Sequence, residues 1–171
     1  GRPLYVGQSG NLRRRMREHF QGAFELPEKA RRIRERARDI EFHPVGSELE
    51  ALLLEERLIR ELAPDLNVQR TVAEEPGRYG TPLHPEAILA RGVRPDRVEV
   101  FALVPGVTLL QLGFRPSRAP ARLLERLAQF LSGAARRAPR AKGLTDWGAR
   151  GAEIAVRHLG RGRSRLRRCP V

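Results

Sequence analysis

Leu49-Glu50-Ala51-Leu52-Leu53-Leu54-Glu55-Glu56-Arg57-Leu58-Ile59-Arg60-Glu61-Leu62 is the stretch that decides how this chain is read. Leu52, Ile59 and Leu62 recur at helical spacing. At about 100° per residue, Glu55 falls near the middle of that apolar stripe while Arg57, Arg60 and Glu61 point away. Ser47-Glu48-Leu49-Glu50 forms a capping box that starts the helix near Ser47. Pro64 stops it near Ala63, because the residue before a proline avoids the α region. A carboxylate in an apolar stripe is costly unless it is paired or protonated. Glu55 therefore calls for a cation, either an arginine of the chain in an internal ion pair or a bound metal.

Upstream, Leu4-Tyr5-Val6-Gly7-Gln8-Ser9-Gly10-Asn11-Leu12 reads as an apolar strand that breaks into a glycine-marked turn. A helix over Asn11 to Phe20 follows, with Leu12, Met16 and Phe20 on one face and Arg15 beside it. Arg13, Arg14 and Arg17 spread over its polar side. Downstream of the Glu55 helix stands Pro64-Asp65-Leu66-Asn67-Val68. Taken singly, Tyr5 fits a core aromatic, Arg15 an ion-pair partner for Glu55, and Asn67 a helix-end turn.

In this order, Tyr5-Val6-Gly7, Arg15, the run ending in Leu52-Leu53-Leu54-Glu55, and Asn67 resemble the GIY-YIG nuclease superfamily. The likeness is greatest to the UvrC-like N-terminal catalytic domain of bacterial excinucleases and to related domains fused to proofreading-type exonucleases. The resemblance covers residues 1 to about 70. It implies that Glu55 holds a single divalent metal, Mg2+ or Mn2+, and that Arg15 contacts the scissile phosphate. It also implies that Tyr5 belongs to a tyrosine pair around the attacking water, and that Asn67 helps to order the site. One carboxylate suffices for magnesium, which keeps waters and takes substrate phosphate oxygens. Phosphodiester hydrolysis needs charge stabilisation and a base for water, and the guanidinium fork suits two phosphate oxygens.

Two positions depart from the family pattern. Its first motif, a Gly-x-Tyr strand about ten residues before Tyr5, is not in the sequence, which we read as a fragment of a longer protein lacking that strand and tyrosine. Gln8 stands where excinuclease relatives usually carry lysine, and it brings no charge.

The chain has 33 Lys and Arg against 20 Asp and Glu, a net charge of +13 over 171 residues. This gives a salt-sensitive attraction to polyanions. The charge is uneven, with 14 basic and 12 acidic residues in 1–70 (+2), leaving 19 and 8 (+11) for 71–171. Lys29 and Lys142 are the only lysines. A single cysteine, Cys169, excludes an internal disulfide and a cysteine-based zinc site and fits a reducing cytoplasm. No apolar run approaches the ~20 residues that span a bilayer. The four histidines show no ligand spacing and are read as ordinary residues.

Arg2 to Gly7 and Asp39 to Val45 are expected as strands, and Pro27 to Arg38 as a very basic helix whose apolar side is Ala30, Ile33 and Ala37. Residues 71–97, rich in Pro and Gly, read as a linker. Val98 to Val104 and Val107 to Phe114 flank Pro105-Gly106 as a hairpin. Pro120 to Leu131 reads as an amphipathic helix and Ala152 to Leu159 as a last strand. Ala134 to Gly151 and Gly160 to Val171 have the composition of basic nucleic-acid-binding arms. Trp147 either stacks on an exposed base or anchors its loop.

The resulting expectation is an α+β chain. Residues 1–70 form a GIY-YIG nuclease domain with a small antiparallel sheet flanked by helices. A linker at 71–97, a small ββαβ accessory unit at 98–160 and a basic tail at 161–171 follow. The expected function, implied by the resemblance, is a structure- or damage-specific DNA endonuclease of nucleotide excision repair, within the SOS response. Its partners would be DNA and other members of a repair complex, with no membrane. Catalysis falls to Tyr5, Arg15, Glu55 and Asn67. Nucleic acid is expected at Gln8, Arg13, Arg14, Arg17, Arg32, Arg163 and Arg165. Alternatives are a non-catalytic nucleic-acid-binding module on the same scaffold, or, on the pI alone, an RNA-associated protein.

Overall fold

The computed structural model of the chain describes residues 2–21, 26–67, 86–104, 108–115, 121, 125, 128, 144–160 and 167–170. It divides into two compact units, one of residues 1–44 with 51–74 and the other of 45–50 with 75–171. The α+β class is met. Among the described residues no helix is long and apolar enough to cross a membrane.

The first unit carries three helices, α1 (Leu12–Phe20), α2 (Glu28–Arg36) and α3 (Glu48–Leu62), the first turn of α3 grouping with the second unit. Asn11 caps α1 by accepting the N–H of Arg14 at 2.9 Å. The face of α1 turned inward differs from the expected one. His19 is buried, Arg15, Met16 and Phe20 are partly covered, and Leu12 is 42% exposed. On α2 the narrow apolar side is as expected, with Ile33 buried and Ala30 and Ala37 partly covered.

The start of α3 follows the capping box, Ser47 Oγ accepting the Glu50 N–H at 3.1 Å, while Glu50 reaches one residue further back to the N–H of Gly46. Its most deeply buried leucines are Leu49 and Leu53, not the Leu52, Ile59 and Leu62 row, and Leu62 is 39% exposed. The inward side is thus rotated from the one inferred from apolar spacing, and Glu55 sits on its flank, half-buried. The helix ends before Pro64 with Ala63 in the left-handed region at φ 43°.

Neither Arg2 to Gly7 nor Asp39 to Val45 is a strand. A strand is a paired object, and extended backbone without a ladder does not become one. Ile40 and Phe42 are about half exposed, so 39–45 buries no apolar face either. Residues 4–6 are tied instead to the segment after α3. Leu66 N–H donates to Leu4 O at 2.9 Å, and the Asn67 side chain both accepts from Val6 N–H at 2.8 Å and donates to Val6 O at 2.9 Å. The carboxamide thereby replaces the neighbouring strand that Val6 would otherwise need.

In the second unit β1 (Glu86–Arg91), β2 (Val98–Val104), β3 (Thr108–Phe114), β4 (Leu144–Asp146) and β5 (Arg167–Pro170) form one antiparallel sheet in the order β4-β3-β2-β1-β5. The hairpin is as read, with Val104 opposite Thr108. Three readings are corrected. The linker 71–97 contains β1, since Ile88 and Ala90 bury against the sheet. Ala152 to Leu159 lies in a helix, α4 (Gly148–Gly160), because Ala152, Ala155 and Leu159 recur at helical spacing and pack toward β3 and β2. In the tail, Arg167–Pro170 pairs with β1.

Of the expected helix at 120–131, Ala121, Glu125 and Ala128 are helical and exposed, and its leucines lie outside the described residues. Trp147 is an anchor, its Nε1–H donating to Gln111 Oε1 at 2.9 Å, while Gln111 Nε2 donates to Glu50 at 3.0 Å and Glu99 at 3.3 Å. Burial, with Glu50 nearby, pushes the Glu99 carboxyl up.

The left-handed Ala63 yields a direct test. Ala63→Gly removes the Cβ clash of that conformation and is expected to stabilise the protein by about 1 kcal/mol, read as a raised urea midpoint at unchanged slope. A lowered midpoint would mean that the turn is not left-handed in solution.

Candidate active site

Tyr5 is the residue on which the first unit converges. Its hydroxyl accepts a hydrogen bond from Arg15 Nη2 at 3.3 Å. The His19 ring meets it edge-on at 6.0 Å between centroids, and Lys29 Nζ lies 4.4 Å from its ring centre. Gly7 lets the ring fold back over the chain, since a Cβ there would lie 2.8 Å from Tyr5 Cζ. Asn67 holds Val6 from both sides, so the backbone carrying Tyr5 is fixed by the segment after α3.

Arg15 also leans on Glu18 at 3.5 Å. Its hydrogen bond to Tyr5 is the main reason its guanidinium is held above the usual value. It makes no ion pair with Glu55, so the reading of Arg15 as that residue's structural partner is not met.

Among the described residues Glu55 has no ion pair at all. Burial raises its carboxyl above the usual range. The backbone N–H of Gln8 opposes this as a donor, as do Lys29 and Arg15 from longer range, while Glu56 adds to it. Four segments thus meet here: residues 5–8, α1, α2 and α3. Among the described residues no cluster of three or more His, Cys, Asp or Glu forms. A lone carboxylate, half-buried, not ion-paired and met by a backbone donor from a neighbouring segment, fits a cation that takes only one protein carboxylate.

Two residues of the site were not singled out from sequence. His19 is buried, with neither ring nitrogen hydrogen-bonded among the described residues, and burial followed by Arg15 lowers its pKa, so it is neutral near pH 7. Its signal was its position four residues after Arg15, one turn along the same face. The signal of Lys29 was its being the only lysine in residues 1–70. Of the expected nucleic-acid contacts, Arg13, Arg14, Arg17 and Arg32 are exposed and Gln8 is partly covered, while Arg163 and Arg165 lie outside the described residues. Arg14 is paired with Glu18 at 3.3 Å.

Residues 1–68 match the UvrC-like GIY-YIG domain family. Over 68 residues the chain is 43% identical to the UvrABC system protein C of Carboxydothermus hydrogenoformans, covering 40% of this chain and 11% of that protein. The corresponding protein of Alcanivorax borkumensis is 46% identical with the same coverage. That of Bifidobacterium longum is 41% identical over 69 residues, 40% of this chain and 9% of the relative. The chain therefore matches only about a tenth of the length of these curated relatives. No solved structure matches the chain.

The raised Glu55 carboxyl has a consequence for stability. An acid whose folded pKa lies above its unfolded one favours folding while protonated. That contribution is full below the unfolded pKa and is lost as pH rises through the folded one. Without metal, Glu55→Gln is therefore expected to melt above the parent protein near pH 7, the gap closing toward pH 4. Melting curves in chelator at the two pH values check this, and a mutant that melts lower near pH 7 would show Glu55 to be a stabilising ion-pair member.

Proposed function

We propose that the first unit is the active site of a metal-dependent DNA endonuclease, cutting phosphodiester bonds of damaged or distorted DNA in nucleotide excision repair. The observation that carries this reading is Glu55, half-buried and not ion-paired among the described residues, in the same unit as the Tyr5–Arg15 hydrogen bond. The likeness of residues 1–68 to part of UvrABC system protein C supports the same reading.

Glu55 is the residue that would hold the metal, Mg2+ or Mn2+, with water and phosphate oxygens filling the remaining positions. When bound, the ion supplies charge at the phosphate and acidifies water. Arg15 offers N–H groups to the non-bridging oxygens while its bond to Tyr5 fixes its orientation. The Tyr5 hydroxyl, accepting from Arg15, keeps its own proton directed elsewhere and positions water. His19, neutral beside Tyr5, can accept a proton. Asn67 acts through Val6 and sets where Tyr5 stands. The second unit, with the larger share of the +13 charge, is proposed to add affinity for the DNA backbone. Association with other repair proteins belongs to the same proposal.

The test is nicking of supercoiled DNA in Mg2+. Glu55→Gln is expected to lower the rate by about 10²-fold or more with DNA affinity nearly unchanged, and chelator should abolish the parent activity. Arg15→Ala should lose cleavage yet keep metal binding. Glu61→Gln, exposed at the end of α3, should cut normally. DNA binding by the parent protein without any metal-dependent cutting would leave the non-catalytic module as the reading.

A further inference from the structure

We propose that Lys29 is a substrate-binding cation of this site, contacting the phosphate backbone of the nucleic acid next to the scissile position. The inference deepens the nuclease reading and rests on it. On α2 two of the arginines are ion-paired. Arg31 is committed to Glu28 at 2.7 Å and Glu35 at 2.9 Å, and Arg36 to Asp65 at 3.1 Å. Those are surface pairs whose charge is locally cancelled. Lys29 makes no ion pair among the described residues, and its ammonium lies over the Tyr5 ring, 4.4 Å from the centre.

The same ammonium is felt by both other titrating residues around Tyr5. It opposes the raised Glu55 carboxyl more strongly than Arg15 does, and it adds to the lowering of His19. Gln8, whose backbone N–H reaches Glu55, is uncharged. The positive charge of the site therefore comes from two helices, from Arg15 on α1 and Lys29 on α2.

The chemistry of the two cations is complementary. Arg15 is held in one orientation by Tyr5 and acts as a fixed fork. Lys29 is exposed, carries three donors on a flexible stem, and is held near the site by the ring face alone. A cation resting on an aromatic face can move to a phosphate oxygen without breaking an ion pair. The competing account is that the lysine stem merely packs on Tyr5.

Lys29→Met keeps the stem and removes the charge, while Lys29→Arg keeps the charge. The full chain is titrated with duplex DNA at several salt concentrations, and nicking in Mg2+ is followed in parallel. Lys29→Met is expected to flatten the log–log salt slope by about 0.9 and to slow nicking at least about tenfold, with the melting temperature unchanged. Lys29→Arg should retain most of both. Adding Gln8→Lys to Lys29→Met should restore part of the slope and the rate, because residue 8 lies against Glu55. Arg31→Gln is the control expected to change neither. An unchanged slope for Lys29→Met overturns the proposal whatever the rate does. Should the parent protein bind DNA without cutting it, the nuclease reading falls, and the slope alone still decides whether Lys29 contacts phosphate.

Discussion

A half-buried carboxylate with no ion-pair partner among the described residues is the constraint around which the first unit is organised. Glu55 loses hydration on α3, is met by the Gln8 backbone N–H, and feels Lys29 and Arg15 only from a distance. An internal ion pair would have neutralised it and turned the site into ordinary structure. The cost of leaving it unpaired is instead a raised carboxyl, which a cation bound there would relieve.

Tyr5 translates the constraint into geometry. One aromatic ring is touched at its hydroxyl by Arg15, at its edge by His19 and on its face by Lys29. Its backbone is placed by a carboxamide that pairs with Val6 as a strand would. Asn67 therefore acts at one remove, through backbone position. This arrangement lets a short, unladdered segment present a well-placed side chain, which an isolated extended chain could not do.

What was legible in the sequence was whatever is encoded locally. The capping box at Ser47 and the stop at Pro64 marked α3, and alternation around Pro105-Gly106 marked the hairpin almost residue for residue. Pairing was not legible, because it is a relation between distant segments. Arg2 to Gly7 has the composition of a strand without the ladder, and Arg167–Pro170 has the ladder without the composition. The helix of Ala152, Ala155 and Leu159 was missed because alanines give little hydrophobic contrast. In the site, the order of Tyr5, Arg15, Glu55 and Asn67 was readable. The alternative of an Arg15–Glu55 ion pair was not met, and His19 and Lys29 emerged only from their proximity to Tyr5.

The central claim is that Glu55 is the protein ligand of a single divalent cation. Titration of the full chain with Mn2+, followed by the loss of the free-ion electron paramagnetic resonance signal, tests it without requiring turnover. One site is expected in the parent protein, tightening as pH rises through the Glu55 titration and lost in Glu55→Gln. Equal Mn2+ binding by the parent protein and Glu55→Gln would contradict it.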